Sequence, residues 1–197
     1  MIKLSALLLS LFMATVSFAA KVGEKAPDFK VSDMNGKTVQ LADFKGKFVV
    51  LEWMNEGCPF VKKHYESNNM QKLQKEYTGK NVAWLTVASS QKGKQGHWTP
   101  EQAQTKAKEW NMAPTAILLD EGAKMGKAYG AKVTPHMFVI NPEGVLVYNG
   151  AIDDNDSSDA ADIPKSTNYV DLALKESLAG KPVKVSTSKP YGCGVKF

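Results

Sequence analysis

The order of apolar and polar positions along the chain predicts strands that alternate with helices. Two continuous apolar runs, 47–53 (KFVVLEW) and 81–88 (NVAWLTVA), are typical of strands buried on both faces of a sheet. A helical pattern over 59–77 follows the first run, and a second helix is expected from the N-cap Thr99 to near Trp110. Such alternation favours a layered α/β domain.

Turn residues predict a hairpin at each end of this pattern. Asn35-Gly36 separates two short β-prone runs near the N-terminus, and the segment 141–144 (NPEG) separates two later strands. We therefore expect one domain over 22–180, with a central mixed sheet flanked by helices and an N-terminal β-hairpin, and a C-terminal tail over 181–197. The remaining expected elements are strands at 114–119, 135–140 and 145–150 and helices at 123–129 and 168–179.

The first nineteen residues have the pattern of a signal peptide. Lys3 gives a positive start, an apolar run covers 4–18, and Ser17-Phe18-Ala19 offers small residues to a signal peptidase. The run is shorter than the roughly 20 residues of a membrane-spanning helix, although a retained anchor stays an alternative. We expect residues 1–19 to be removed and the mature protein to be periplasmic or extracellular, touching a membrane only through the uncleaved signal.

Composition excludes several classes of protein. The net charge is +5 and all 25 basic residues are scattered lysines, without the arginine-bearing basic stripe that a nucleic-acid-binding protein uses. The three histidines and two cysteines lack the spacing of a zinc site, so we expect no metal and no cofactor. His136 is interpreted as an ordinary strand histidine rather than a copper ligand. The acidic segment 153–164 is interpreted as a solvated loop rather than a calcium site.

Cys58 is the candidate for chemistry. It stands between a buried strand and a helix, where unsatisfied backbone N–H groups and the helix dipole favour the thiolate. The alternatives are an inert buried thiol and one half of a structural disulfide with Cys193.

Two separated segments resemble the exported thioredoxin-fold redoxins of the alkyl hydroperoxide reductase and thiol-specific antioxidant group. They are 47–65 (KFVVLEWMNEGCPFVKKHY) and 117–153, which contains Thr134-Pro135 before a strand. The resemblance covers roughly residues 22 to 180 and implies a thioredoxin-like fold with a redox-active cysteine at position 58.

The same resemblance suggests roles for other residues. Glu52 matches a buried acid that moves protons during exchange, with a solvent-exposed strand position as the alternative, and burial would raise its pKa. Pro135 matches a cis-proline that binds extended substrate. Cys193, between two glycines, is the candidate resolving cysteine, within one chain or between two. The expected substrate-binding residues are Thr134, Pro135, Asn55, Gly57 and Pro59.

Three departures from the family pattern bear on the reaction. Val61 stands where a thioredoxin has its second cysteine, and Leu51 and Asn55 stand where a peroxiredoxin has proline and threonine. Arginine, which peroxiredoxins use beside the thiolate, does not occur, and lysine lacks its bidentate fork.

We therefore expect a peroxiredoxin-like thiol–disulfide oxidoreductase with antioxidant activity. Its partners would be a thiol or disulfide, on a protein or a small molecule, or a peroxide, and a homodimer stays open. Two alternatives remain: a peroxidase with a non-standard site, and a non-catalytic thioredoxin-fold binding module or copper metallochaperone.

Overall fold

The computed structural model describes residues 19–197, so residues 1–18 of the expected signal peptide lie outside the described residues. Within the described residues, the strands are β1 (Lys30–Asp33), β2 (Thr38–Gln40), β3 (Val49–Trp53), β4 (Ala83–Ala88), β5 (Ala116–Leu119), β6 (Val133–Thr134), β7 (His136–Ile140), β8 (Leu146–Gly150) and β9 (Cys193–Gly194). The α-helices in the same part of the chain are α1 (Pro59–Glu66), α2 (Asn69–Thr78), α3 (Pro100–Glu109), α4 (Lys124–Tyr129) and α5 (Tyr169–Leu178).

Seven strands form one mixed sheet in the order β2-β1-β5-β4-β3-β7-β8. β3, β4 and β5 run parallel, and the antiparallel hairpins β1–β2 and β7–β8 close the two edges. The expected hairpins and the mixed sheet are confirmed. The fully buried apolar runs account for the central position of β3 and β4, because only a strand covered on both faces can bury every side chain.

The two faces of the sheet bury different hydrophobic clusters. α1, α2 and α5 cover one face, with Tyr65, Tyr77 and Leu174 in its core. The other face carries Trp53, Phe138 and the α4 residue Tyr129. Across residues 19–197, none of the helices has both the length and the apolar character that a bilayer crossing requires.

One expected helix is divided. The pattern over 59–77 predicts a continuous helix, whereas α1 ends at Glu66 and α2 begins at Asn69. Asn68 has a φ of 60°, a left-handed conformation that asparagine tolerates better than most residues. The Ser67 hydroxyl donates to the carbonyl of Lys63 at 2.6 Å and so helps to end α1. The division turns α2 back against β4, and apolar periodicity alone does not reveal it.

Candidate active site

Cys58 caps α1 at the end of the loop that leaves β3. Its backbone N–H donates to the carbonyl of Asn55 at 3.0 Å, and the N–H of Gly57 donates to Asn55 Oδ1 at 2.9 Å. Pro59 then opens the helix, where a missing N–H costs nothing. The buried Asn55 thus shapes the turn that places the sulfur at the helix N-terminus.

The neighbouring strand brings a second segment to the same end of the sheet. Trp53 pairs with His136 in the β3–β7 ladder, so the residues just before β7 face the loop after β3. The Thr134–Pro135 peptide bond is cis, as the resemblance implies. The Cys58 thiol donates to the carbonyl of Thr134 at 3.1 Å, which joins the two segments.

The C-terminal tail lies across this pair. β9 is antiparallel to β6, with Cys193 opposite Thr134, and the N–H of Cys193 points at Cys58 Sγ at 3.4 Å. Gly192 has a φ of 129°, and a Cβ there would lie 2.0 Å from the Thr134 carbonyl oxygen, so only glycine permits this approach. Cys58 is fully buried under the tail, and both thiols are free.

The two cysteines differ in acidity. Burial raises the pKa of Cys58, but hydrogen bonds from the Cys193 thiol and from the backbone N–H groups of Cys193 and Val61 oppose it, and the pKa ends below its ordinary value. Burial, followed by the interaction with Cys58, raises the pKa of Cys193 to about 11. The geometry therefore favours ionisation of Cys58 over that of Cys193, which makes Cys58 the better candidate for a nucleophile.

Glu52 lies inside the core on β3 and is fully buried, so the solvent-exposed alternative is wrong. Its carboxylate accepts four hydrogen bonds, from Tyr65 and Trp84 at 2.7 Å and from Gln74 and Thr86 at 3.1 Å. Burial raises the pKa of Glu52 despite these four donors. The carboxylate is held entirely by side chains of the sheet and of α1 and α2.

Another buried carboxylate belongs to Asp153, which is only 3% exposed, so its placement in a solvated loop is wrong. Lys63 Nζ lies 3.7 Å from Asp153 Oδ2, and His64 Nε2 lies 3.8 Å from the same oxygen. The hydroxyl of Tyr191 donates to Asp153 Oδ1. Tyr191 comes from the tail, two residues before Cys193.

The buried histidines act as neutral hydrogen-bonding groups. Burial lowers the pKa of His136 to about 4; its Nδ1 accepts from the N–H of Lys132, and its Nε2 lies 2.8 Å from Asn149 Oδ1. Burial likewise lowers the pKa of His64 to about 3. Within residues 19–197, no three His, Cys, Asp or Glu side chains gather around a point that a metal ion could occupy.

The structure brings most of the singled-out residues together. Cys58, Cys193, Thr134, Pro135 and Asn55 meet at one end of the sheet, with Gly57 and Pro59 beside them, whereas Glu52 lies deeper and contacts other side chains. Sequence reasoning missed five residues: Lys63, His64, Asp153 and Tyr191, which form the second cluster, and Gln95, whose amide lies against Gly57 and Asn55. The one available signal was the aromatic Tyr191 so close to Cys193.

Comparisons with known proteins show the family of the chain. A family model described as the AhpC/TSA family matches residues 22–149. The thiol-disulfide oxidoreductase ResA of Bacillus thuringiensis subsp. konkukian is 30% identical over 128 residues, which cover 64% of this chain and 68% of that protein.

Solved structures share the fold. A conserved protein from Geobacillus kaustophilus superposes with a TM-score of 0.75 at 27% identity, over 90% of this chain and 92% of its own. A putative thioredoxin from Neisseria meningitidis gives 0.55 at 25% identity, over 78% and 92%. The fold is thioredoxin-like, as the resemblance implied.

Proposed function

The chain belongs to the AhpC/TSA family and is a thiol-dependent redox protein, and we propose that it exchanges electrons with disulfides through the pair Cys58 and Cys193. The observation that carries this proposal is the contact between the Cys193 N–H and Cys58 Sγ at 3.4 Å. Cys193 lies beside Cys58 although the two are 135 residues apart, which supports Cys193 as the second thiol of the pair.

The exchange proceeds in two balanced steps. The Cys58 thiolate attacks one sulfur of a substrate disulfide, forms a mixed disulfide and expels the other sulfur as a thiolate, which takes up a proton. Cys193 then loses its proton and attacks Cys58 Sγ, which releases the second substrate thiol. The substrate disulfide is reduced to two thiols, and Cys58 and Cys193 are oxidised to a disulfide.

The second step needs a proton acceptor, because the pKa of Cys193 is about 11. We assign this role to Glu52, because burial raises its pKa and so makes its carboxylate a stronger base than a solvent-exposed one. Thr134 and Pro135 are assigned to binding extended substrate, and Asn55, Gly57 and Pro59 to shaping the wall beside Cys58.

We also propose that the exchange takes place outside the cytoplasm. The support is the signal-like pattern of residues 1–19. Two cysteines that cycle between dithiol and disulfide fit a compartment where disulfides form and persist.

The test separates the two cysteines. Cys58→Ser abolishes reduction of a model disulfide, whereas Cys193→Ser still performs the first step and accumulates a mixed disulfide at Cys58, which intact mass spectrometry detects. A Cys193→Ser variant with wild-type turnover would contradict the pairing. A wild-type protein that neither turns over nor forms the Cys58–Cys193 disulfide would favour the binding module.

Hydrogen peroxide serves as the competing oxidant. The chain has no arginine, and Leu51 and Asn55 stand where peroxiredoxins have proline and threonine. Fewer oriented donors therefore stabilise the transition state, and one missing donor costs about a hundredfold or more in rate elsewhere. Stopped-flow oxidation of Cys58 is therefore expected to be slower with peroxide than with a model disulfide. A peroxide reaction faster by orders of magnitude would make the peroxidase the better assignment.

A further inference from the structure

The tail reaches Cys58 through a series of attachments. It first runs beside β8, where the N–H of Asn149 donates to the carbonyl of Ser186 at 3.1 Å. It ends with the N–H of Val195 donating to the carbonyl of Lys132 at 3.0 Å and with Phe197 packed on Gly126. Between these ends, Tyr191 is the side chain that enters the body of the protein next to Cys193.

The site that receives Tyr191 is polar and buried. Lys63 and His64 of α1 and the loop residue Asp153 are each 3% exposed or less. The Tyr191 hydroxyl donates to Asp153 and lies 3.5 Å from His64 Nε2. The ring of Tyr191 packs edge-on against Phe60, with centroids 5.7 Å apart.

His64 and Lys63 also make hydrogen bonds to residues that do not belong to this cluster, and these bonds orient both side chains. The side-chain amide of Asn69 lies 2.8 Å from His64 Nδ1. Because the amide N–H donates this bond, Nδ1 is the acceptor and the proton of the neutral ring is on Nε2, which faces Asp153 and Tyr191. Lys63 Nζ donates to the carbonyl of Asn155 at 3.0 Å in addition to its ion pair. The tail hydroxyl thus completes a preformed arrangement, and a buried Asp153 left without this donor would be penalised.

We propose that Lys63, His64 and Asp153 form a tail anchor that positions Cys193 against Cys58 by holding Tyr191. The proposal rests on the exchange reaction proposed above. Tyr191 and Cys193 are two residues apart, about 7 Å in extended chain, so fixing one confines the other. The tail anchor sets the effective concentration of Cys193 at Cys58 and also determines how often the tail lifts to admit a substrate.

The decisive variant is Tyr191→Phe, which keeps the ring on Phe60 and removes only the hydroxyl. A hydrogen bond to a charged group is worth roughly a factor of ten or more, so we expect a loss of up to about tenfold in the equilibrium constant for forming the Cys58–Cys193 disulfide, the full factor applying when the tail of the reduced protein is mainly open. For this two-electron couple, tenfold corresponds to a reduction potential about 30 mV higher. The measurement is equilibration of the protein with glutathione redox buffers.

A second readout reports tail opening without any disulfide. In the reduced protein, the rate of Cys58 alkylation by iodoacetamide at the high-pH plateau, mapped by peptide mass spectrometry, is expected to rise by up to about tenfold in Tyr191→Phe, the full factor applying when the tail is mainly closed. The factors in the two readouts multiply to about ten. The matched control is Tyr77→Phe, which removes a hydroxyl that donates to Asp171 Oδ1 at 2.6 Å between α2 and α5. This control is expected to leave both readouts unchanged.

The outcomes separate the two proposals. A Tyr191→Phe protein within twofold of the wild type in both readouts would overturn the tail anchor, as would equal changes in Tyr77→Phe. If the wild type forms no Cys58–Cys193 disulfide, the proposed exchange fails and the alkylation rate alone decides the anchor. Asp153→Asn provides a second variant and is expected to move both readouts in the same direction as Tyr191→Phe.

Discussion

Glu52 and Asp153 are two of the buried carboxylates of this domain, and they differ in the groups that hold them. Glu52 accepts four hydrogen bonds from side chains of β4, α1 and α2. Asp153 accepts from Tyr191 of the tail and pairs with Lys63. Glu52 therefore connects the central sheet with two of its helices, whereas Asp153 connects the C-terminal tail with the rest of the domain. Burial alone does not distinguish the two roles; the chain segment that supplies the donors does.

The largest expected effect is the loss of folding stability when either carboxylate is removed. Glu52→Ala leaves four donors buried without an acceptor, which we expect to lower the free energy of unfolding by about 3–5 kcal/mol and the melting temperature by roughly 10 °C. Asp153→Ala is expected to cost about 1–2 kcal/mol, because water reaches Lys63 once the tail lifts. Denaturant titration of both variants measures the difference. Equal losses of unfolding free energy in the two variants would contradict the different roles given to Glu52 and Asp153.

Gly192→Ala is expected to release the tail without touching either carboxylate. The new Cβ would meet the Thr134 carbonyl and take up a strained φ, which shifts the population towards the open tail by roughly 10–100-fold. The plateau rate of Cys58 alkylation should rise by that factor. Gly144→Ala, also at a positive φ but with nothing within 4 Å of its Cβ, is the control and should leave the rate unchanged.

His64 and Glu52 should also respond to acid with opposite signs. The pKa of His64 falls from 6.5 to about 3 on folding, so the unfolded state binds the proton first and stability is lost as the pH falls below 6.5. Between pH 7.5 and 5 this loss is about 2 kcal/mol, and His64→Gln should abolish it.

Glu52 has a raised pKa, so the folded state binds its proton first, and this contribution is present at low pH and lost as the pH rises through the folded pKa. Glu52→Gln should remove that contribution. Unfolding titrations at both pH values test each sign, and a His64→Gln protein with the wild-type pH dependence would show that His64 is not held neutral.

The smallest expected effect is on the acidity of Cys58. Its alkylation midpoint should lie below the ordinary value of about 8.5. Asp153→Asn should raise the midpoint, because a loosened tail withdraws the Cys193 donors. Glu52→Gln should lower it by removing a buried negative charge. A midpoint that does not move in Glu52→Gln would show that Glu52 has no influence on the thiol and would contradict its proposed role.

The sequence predicts the sheet and the turns well because their signals are local. Continuous apolar runs mark β3 and β4, and Asn35-Gly36 marks the first hairpin. The break at Asn68 is missed because an asparagine in the left-handed conformation looks, in sequence, like any polar helix residue. The spacing of apolar residues does not reveal whether Asn68 continues the helix or takes the left-handed conformation that ends it.

The site is predicted in part for the same reason. Cys58 and Pro135 belong to motifs a few residues long, whereas the burial of Asp153 depends on α1 and on a tail 38 residues away in sequence. The acidic segment 153–164 is predicted to be solvent-exposed when only residues adjacent in sequence are considered. Three-dimensional packing decides otherwise, because a tyrosine and a lysine from distant segments satisfy the carboxylate.

The pairing of β9 with β6 has a consequence for how substrates would compete. A polypeptide that paired with Thr134 would need the backbone groups that Cys193 now occupies, so it could bind only the fraction of molecules with the tail open. Its apparent dissociation constant is the intrinsic one divided by that open fraction. A looser tail would therefore bind long substrates more tightly, but it would bring Cys193 back to Cys58 less often. In the proposed exchange, the first step would be favoured by the open tail and the second step by the closed tail.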